Sequence, residues 1–170
     1  MERQNAITFK GGPLTLVGDE VQVGQPAPAF TAVANDLSEY QLSNDQGKVI
    51  VLAAVPSLDT GICDMETRKF NELAASLGED VQIVTISMDL PFAQARWCGA
   101  AGVDQVKTVS DYKGPEFGPK YGLLIKELHL LARAVLVIDK QGVVQYYQLV
   151  PEVAEEPDYD AVIEAVKKLL

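Results

Sequence analysis

A cysteine stands where a loop enters a predicted helix, in the run Pro56–Cys63, which reads Pro-Ser-Leu-Asp-Thr-Gly-Ile-Cys. This run follows the apolar residues 49–55 and precedes a segment with an amphipathic helical pattern. Because the first N–H groups of a helix lack partners, a helix start favours negative charge and therefore the thiolate form of a cysteine. The thiolate is the nucleophilic form, so we expect Cys63 to carry out nucleophilic chemistry.

Few other residues could bind a metal or carry redox chemistry. Cys98 is the only other cysteine and His129 is the only histidine. A closed structural zinc site takes four protein ligands, so this set argues against one. The two cysteines do not form a C-x-x-C motif, which counts against disulfide exchange of the thioredoxin type. We expect no metal, haem or flavin cofactor, and Cys98, taken alone, would usually be a small buried hydrophobic residue.

Arg133 is a charged residue within an otherwise apolar stretch that runs from Leu130 to Ile138. Burying a charge without a partner costs much free energy, so we expect an arginine in this position to have a specific interaction partner. One possible partner is one of the many carboxylates of the chain, with which Arg133 would form an ion pair. Alternatively, a permanent positive charge near Cys63 would stabilise its thiolate and bind the negative charge that develops during a reaction.

The elements that must position these residues follow from the pattern of apolar residues. Continuous apolar runs predict buried strands, alternation around turn residues predicts hairpins, and apolar residues on one helical face predict helices. The predicted strands span residues 7–9, 14–17, 49–55, 81–88, 106–109, 132–138 and 143–149, and the predicted helices span 64–77, 91–99 and 158–170.

This order of elements is that of an α/β protein with a thioredoxin-like fold, in which helices flank a mixed central sheet. Strand, helix, strand, helix and strand come first, and an antiparallel hairpin and a last helix follow. We expect one domain over residues 1–170, with an N-terminal β-hairpin extension in residues 1–18.

Composition narrows the classes of partner and the compartment. The formal net charge of −10 argues against nucleic acid and against an anionic membrane surface as partners, and it suits small neutral substrates. The N-terminal residues lack an apolar signal core, and no run of about 20 apolar residues exists. We therefore expect a cytoplasmic protein, in which two cysteines form a working thiol pair more readily than a permanent disulfide.

Several motifs in the chain resemble those of one known family. Pro56, Thr60 and Cys63 stand in the spacing P-x-x-x-T-x-x-C, which resembles the active-site signature of the peroxiredoxins. Within this family, the chain most closely resembles the thiol peroxidase subfamily, and this resemblance covers nearly the whole chain. The segments that carry this resemblance are the N-terminal hairpin and residues 56–63, 67–71, 92–99 and 130–134.

The resemblance implies a role for each site residue. Cys63 would be the peroxidatic cysteine that attacks a hydroperoxide and becomes a sulfenic acid. Thr60 would accept a hydrogen bond from the peroxide and donate one to the thiolate, Pro56 would limit water as a rigid apolar wall, and Arg133 would bind the developing charge. Cys98 would be the resolving cysteine of the atypical two-cysteine type, in which both sulfurs belong to one chain. Forming that disulfide would require local unwinding of one helix or both, because its Cα atoms must lie within about 7 Å of each other.

The resemblance also implies the substrates and partners. Hydrogen peroxide and organic hydroperoxides would be reduced in cellular antioxidant defence, with alkyl hydroperoxides favoured. Thioredoxin or a similar dithiol would reduce the disulfide, and the chain would form a homodimer near the active-site loops. Two alternatives stay open at this point: a thiol–disulfide oxidoreductase of the same fold, and a peroxide sensor that passes its disulfide to a partner protein.

Other charged and aromatic residues allow less specific expectations. Arg68 is either a solvated helix residue or a residue that fixes the loop, and His129 is expected either at the surface or with its hydrogen bonds satisfied. Residues 152–158 predict a solvated acidic loop. Met65-Glu66 departs from a common form of the subfamily by placing an apolar residue and a negative charge one turn from Cys63. The residues expected mostly in the core, with some of them instead lining an alkyl-binding groove or a dimer face, are Phe92, Tyr112, Phe117, Tyr121, Leu123 and Leu124.

Overall fold

The computed structural model describes all 170 residues, in eleven strands and four α-helices. The strands are β1 (Glu2–Phe9), β2 (Gly12–Val17), β3 (Ala32–Ala34), β4 (Glu39–Tyr40), β5 (Val49–Ala54), β6 (Val81–Ser87), β7 (Val106–Ser110), β8 (Leu124–Ile125), β9 (Leu130–Leu131), β10 (Ala134–Ile138) and β11 (Val144–Leu149). The helices are α1 (Gly61–Leu77), α2 (Pro91–Ala101), α3 (Phe117–Tyr121) and α4 (Tyr159–Lys167). None of them is long and apolar enough to cross a lipid bilayer.

Seven strands form a mixed central sheet in the order β11-β10-β5-β6-β7-β3-β4. Strands β5, β6 and β7 run parallel, and β10 runs antiparallel to β5. Every residue of β5 is buried, because alternate residues of this strand enter two different hydrophobic clusters, one on each face of the sheet. A strand covered on both faces reads as a continuous apolar run, which is the pattern from which β5 was predicted.

The N-terminal hairpin belongs to a second sheet of four strands in the order β1-β2-β8-β9. Ile7 of β1 and Leu16 of β2 are buried in the larger hydrophobic cluster, together with Leu52 of β5. The hairpin therefore packs against one face of the central sheet, and its apolar side chains are part of the same core.

The α/β class and the mixed central sheet flanked by helices are confirmed. Helix α1 begins at Gly61, earlier than predicted, and α4 ends at Lys167, before the predicted end of the chain. Helix α3 was not predicted, because five residues with a proline among them give no helical periodicity. Of the residues expected mostly in the core, Phe92 and Tyr112 lie outside it, exposed at 68% and 40%, and the other four are buried.

The pairing of β5 with β10 determines where the site lies. Ala54, the last residue of β5, pairs with Ala134, the first residue of β10. Because the two strands are antiparallel, the residue before β10 lies beside the residues that follow β5. Arg133 is that residue: it precedes the strand, whereas the sequence predicted it inside a strand over 132–138, and the register brings it to the loop that leads to Cys63.

Candidate active site

Cys63 is the third residue of α1, and a threonine caps this helix. The Thr60 hydroxyl accepts a hydrogen bond from the Cys63 backbone N–H at 3.2 Å, which satisfies one of the donors that a helix start leaves free. The side chain of Cys63 is fully buried against Val55 and Leu58. The thiol is therefore held at the positive end of the helix dipole and away from bulk water.

Arg133 contacts the Cys63 sulfur directly. Its Nη2 atom lies 3.3 Å from Sγ, its Nη1 atom lies 3.4 Å from Oε1 of Glu66, and its Nε–H donates to the backbone carbonyl of Val153 at 3.0 Å. The arginine is 1% exposed and Glu66 is 0% exposed. A permanent positive charge in a water-poor environment stabilises a thiolate more strongly than it would at the surface.

The two remaining residues of the expected motif also line this site. Pro56 is buried directly after β5, and it forms part of the wall beside Thr60 and Arg133. Besides accepting from Cys63, the Thr60 hydroxyl donates to the carbonyl of Ser57 at 3.1 Å. In this arrangement its hydrogen is engaged by Ser57 and does not reach the sulfur, which differs from the hydrogen bond expected from the resemblance.

A cavity of about 640 Å³ opens next to these residues. Beyond Pro56, Thr60 and Arg133, its wall is mainly apolar and is drawn from α1, from the N-terminal hairpin, from the β8–β9 segment and from the segment between β11 and α4. The apolar side chains in this wall are Phe9, Ile62, Met65, Ile125, Leu128, Leu130, Val153 and Ala154. Such a wall can hold a hydrocarbon group while the polar end of the same molecule lies beside Arg133.

Cys98 has different neighbours from Cys63, and both cysteines are free thiols. Its sulfur is partly buried on α2 and lies 3.4 Å from Oγ1 of Thr108, which donates in turn to Asn35. The structure thus brings Pro56, Thr60, Cys63 and Arg133 together, and it leaves Cys98 on the adjacent helix.

Trp97, which precedes Cys98, connects the two helices. Its side chain packs against the buried cluster that contains Cys63, and the Arg68 guanidinium lies 5.7 Å from the centre of its ring. Arg68 also pairs with Asp64 at 3.0 Å and donates to the Ala101 carbonyl at 3.3 Å. Arg68 is therefore a half-exposed residue that ties α1 to α2, so neither of the two roles considered for it describes it fully.

Sequence reasoning missed two residues that position the site. The Asp89 carboxylate accepts hydrogen bonds from the Ser57 hydroxyl at 2.7 Å and from the Leu58 N–H at 2.8 Å, so it fixes the loop before α1 to the loop before α2. Val153 positions Arg133 through its carbonyl. A backbone acceptor leaves no signal in side-chain type, whereas an aspartate between a predicted strand and a proline-started helix could have been noticed.

The acidic segment is more structured than expected. Val153 and Pro157 are buried, and the Glu152 carboxylate accepts hydrogen bonds from Gly11 and Ala154. The prediction of a solvated loop over 152–158 was therefore wrong for Val153 and Pro157, whereas Ala154 is exposed. His129 is exposed, as expected.

Taken together, these residues can carry out nucleophilic chemistry on a small molecule. A buried sulfur at a helix start contacts a guanidinium, and an apolar cavity opens beside them. Nowhere in the chain do three or more histidine, cysteine or acidic side chains converge as ligands for a metal ion would.

Comparisons with known proteins give one consistent result. The family model described as Redoxin matches residues 22–163. The thiol peroxidase of Bacillus subtilis is 56% identical over 164 residues, which cover 96% of this chain and 98% of that relative. The thiol peroxidase of Listeria monocytogenes is 49% identical over 162 residues, which cover 95% and 98%.

Solved structures agree with this result. A peroxiredoxin-like protein from Aquifex aeolicus superposes with a TM-score of 0.91 at 46% identity, over 98% of both chains. A thiol peroxidase from Chromobacterium violaceum shares the fold, with a TM-score of 0.86 at 19% identity over 95% of each chain.

Proposed function

This chain belongs to the redoxin family and is a thiol peroxidase, which is a peroxiredoxin-type enzyme, and we propose that Cys63 is its reactive residue. Its substrates in this proposal are hydrogen peroxide and organic hydroperoxides. The observation that carries the assignment of Cys63 is the contact of 3.3 Å between its sulfur and Nη2 of the buried Arg133. A nucleophilic thiolate needs a stable negative charge in the resting enzyme, and this guanidinium supplies the opposite charge.

The first chemical step follows from that contact. The Cys63 thiolate attacks one oxygen of the peroxide, the S–O bond forms and the O–O bond breaks. The sulfur is oxidised by two electrons to a sulfenic acid, and the leaving oxygen takes a proton to become water or an alcohol. Arg133 faces both the sulfur and the cavity. Its positive charge can therefore stabilise the thiolate before the reaction and the leaving oxygen as the O–O bond breaks.

The geometry suggests supporting roles for Pro56 and Thr60. The proline closes one side of the site with an apolar ring and contributes no N–H that would compete for hydrogen bonds. The Thr60 hydroxyl keeps the start of α1 in place through Cys63 and Ser57. When a peroxide enters, the exposed Thr60 can turn its hydroxyl toward that substrate.

The apolar cavity supports a preference for alkyl hydroperoxides. Phe9 comes from the hairpin in residues 1–18 and faces the same cavity as Met65 and Leu128. We therefore propose that residues 1–170 act as one domain, in which the N-terminal extension helps to form the substrate site.

Cys98 is the proposed resolving cysteine. Its thiol would attack the Cys63 sulfenic acid, a disulfide would form and water would leave. Because both cysteines lie within helices, part of α1 or α2 must unwind before the sulfurs can meet. Trp97 packs next to Cys63, so its fluorescence should report this movement.

Reduction of the disulfide requires an outside thiol pair. A thioredoxin-type protein in the cytoplasm fits this requirement, since its thiolate can attack an exposed sulfur. The cellular role would then be antioxidant defence. A homodimer is proposed as well, with the exposed apolar side chains of Leu90, Phe92 and Tyr112 as candidates for its interface.

The decisive experiment is intact mass with thiol counting, before and after one equivalent of cumene hydroperoxide. We expect both thiols to disappear and the mass of the monomer to fall by two hydrogens. Cys98→Ser should still consume about one peroxide per chain but lose turnover with thioredoxin, and Cys63→Ser should consume none. Two intact thiols after the peroxide would contradict the proposed function.

A further inference from the structure

Arg133 contacts two buried acidic side chains at once. Its Nη2 atom lies 3.3 Å from the Cys63 sulfur, and its Nη1 atom lies 3.4 Å from Oε1 of Glu66. All three side chains are 1% exposed or less. One guanidinium carries one positive charge, so it cannot neutralise a thiolate and a carboxylate together in a place that water does not reach.

Glu66 is poorly equipped to remain ionised when Cys63 is a thiolate. Its second oxygen, Oε2, is buried and has no hydrogen-bond partner, although an ionised carboxylate can accept at both oxygens. Burial raises the pKa of Glu66 to about 7, against the opposing effect of Arg133. The proposed peroxide chemistry has no role for this carboxyl group.

The other groups around Glu66 add no positive charge. Glu156, in the segment before α4, repels a negative charge on Glu66. Tyr159, at the start of α4, donates its hydroxyl to Glu156, and burial keeps the pKa of Tyr159 above its ordinary value, so that the phenol is neutral. Arg133 thus supplies the compensating charge for Glu66, and Cys63 competes for it.

We propose that Glu66 holds a proton while Cys63 is a thiolate and releases that proton when Cys63 is oxidised. This inference rests on the proposed function, because it requires that Cys63 reacts with a peroxide. In the reduced enzyme, the positive charge of Arg133 compensates the negative charge of the thiolate alone. In the sulfenic acid form the sulfur is neutral, and Arg133 pairs with the ionised Glu66 instead.

The proton balance of the first step changes as a result. The Cys63 thiolate, the protonated Glu66 and the hydroperoxide become the sulfenic acid, the ionised Glu66 and the alcohol. Two protons and one negative charge stand on each side, so the leaving oxygen receives its proton with no net uptake from the solvent. Without the Glu66 carboxyl, one proton must come from the solvent for each Cys63 that is oxidised.

This difference can be measured with a pH-indicator dye in weakly buffered solution near pH 8, which lies above the pKa of about 7 of Glu66. The Cys98→Ser protein is the starting point, because its reaction with one equivalent of cumene hydroperoxide stops at the sulfenic acid. We expect the Glu66→Gln variant to take up about one proton more per oxidised Cys63 than the protein with Glu66.

A matched control is Glu72→Gln, which removes an exposed carboxylate from the same helix. Its proton uptake should equal that of the Cys98→Ser protein. Equal uptake with Glu66 and with Gln at this position would overturn the inference, since the proton would then come from elsewhere.

A second measurement needs no substitution at Glu66. In the infrared difference spectrum between the oxidised and reduced Cys98→Ser protein near pH 8, the band of a protonated carboxyl should disappear and a carboxylate band should appear. Unchanged carboxyl bands would contradict the inference even where Glu66→Gln fails to fold. A Cys63 thiol that survives the peroxide contradicts the proposed function, whereas an oxidised Cys63 without any proton change at Glu66 contradicts this inference alone.

Discussion

At the scale of single residues, the geometry of Arg133 matters as much as its charge. Three of its nitrogens are used, by the Cys63 sulfur, the Glu66 carboxyl and the Val153 carbonyl. Lysine carries the same charge at one point only and cannot reach three acceptors from a fixed plane. The site therefore depends on the shape of the guanidinium, which holds the charge between the sulfur and the cavity.

The Arg133→Lys variant tests this dependence. We expect the second-order rate constant for oxidation of Cys63 by cumene hydroperoxide to fall about 10²- to 10³-fold, the cost of losing a donor aimed at a developing negative charge. Stopped-flow Trp97 fluorescence measures the rate. Arg96→Lys, at an exposed position of α2, is the control and should react at the rate of the unmodified chain. A rate for Arg133→Lys within threefold of that rate would show that charge alone suffices.

At the scale of elements, the start of α1 combines helix capping with catalysis. The same Thr60 hydroxyl accepts from the Cys63 N–H and donates to Ser57, so this residue sets both the first turn and the loop before it. Loss of an N-cap side chain exposes a free donor and loosens the turn that carries the sulfur.

Replacing Thr60 tests its contribution both to stability and to the rate of Cys63 oxidation. Thr60→Val keeps the shape and removes the hydroxyl, so it should lower the free energy of unfolding by about 1 kcal/mol and slow the oxidation of Cys63. Thr60→Ser restores a capping hydroxyl and should recover both values. Urea denaturation and the rate of thiol loss measure the two effects. A Thr60→Val protein with full stability and full rate would remove any role for the cap.

Asp89 joins the two elements that carry the cysteines. Its carboxylate accepts from Ser57 and Leu58 in the loop before α1, and its own backbone carbonyl accepts from the hydroxyl of Ser110, the last residue of β7. The loop before Cys63 is thereby held by the segment that leads to the helix of Cys98.

Asp89→Asn should release this loop. An amide offers one acceptor oxygen where the carboxylate offers two, so the Leu58 N–H or the Ser57 hydroxyl loses its partner. We expect hydrogen exchange in residues 57–60 to become about fivefold faster, since one lost hydrogen bond is worth about 1 kcal/mol. Asp36→Asn, in an exposed turn, should leave exchange in residues 57–60 unchanged. Unaltered exchange in Asp89→Asn would show that the loop is held by other contacts.

At the scale of the whole molecule, the fold could be predicted from the sequence, whereas the details of the site could be predicted only in part. Strands β5 and β6 and helix α1 could be predicted from long runs in which apolar residues stand at the positions that these elements bury. The short strands β8 and β9 and helix α3 depend on tertiary packing, and two to five residues give no periodic signal. Cys63 and Arg133 could be singled out by type, but their contact depends on the pairing of Ala54 with Ala134, a register that the sequence does not show.

The buried Glu66 also affects the stability of the whole molecule. Its pKa is about 7 in the folded chain and has an ordinary value of 4.5, so between these values the folded state binds a proton that the unfolded state has lost. Stability must therefore fall as pH rises through this window, in contrast to the effect of Glu127 and Glu152, whose pKa values are lowered by backbone N–H donors.

Urea denaturation between pH 5.5 and 8 tests this effect in the Cys63→Ser background, where no thiol at position 63 can titrate. The free energy of unfolding should fall by about 2 kcal/mol over this range with Glu66 and should change much less with Gln at that position. Glu72→Gln should behave like the protein with Glu66. If the free energy of unfolding changed with pH in the same way in both proteins, Glu66 would be ionised over the whole range and its charge would be compensated by Arg133 alone.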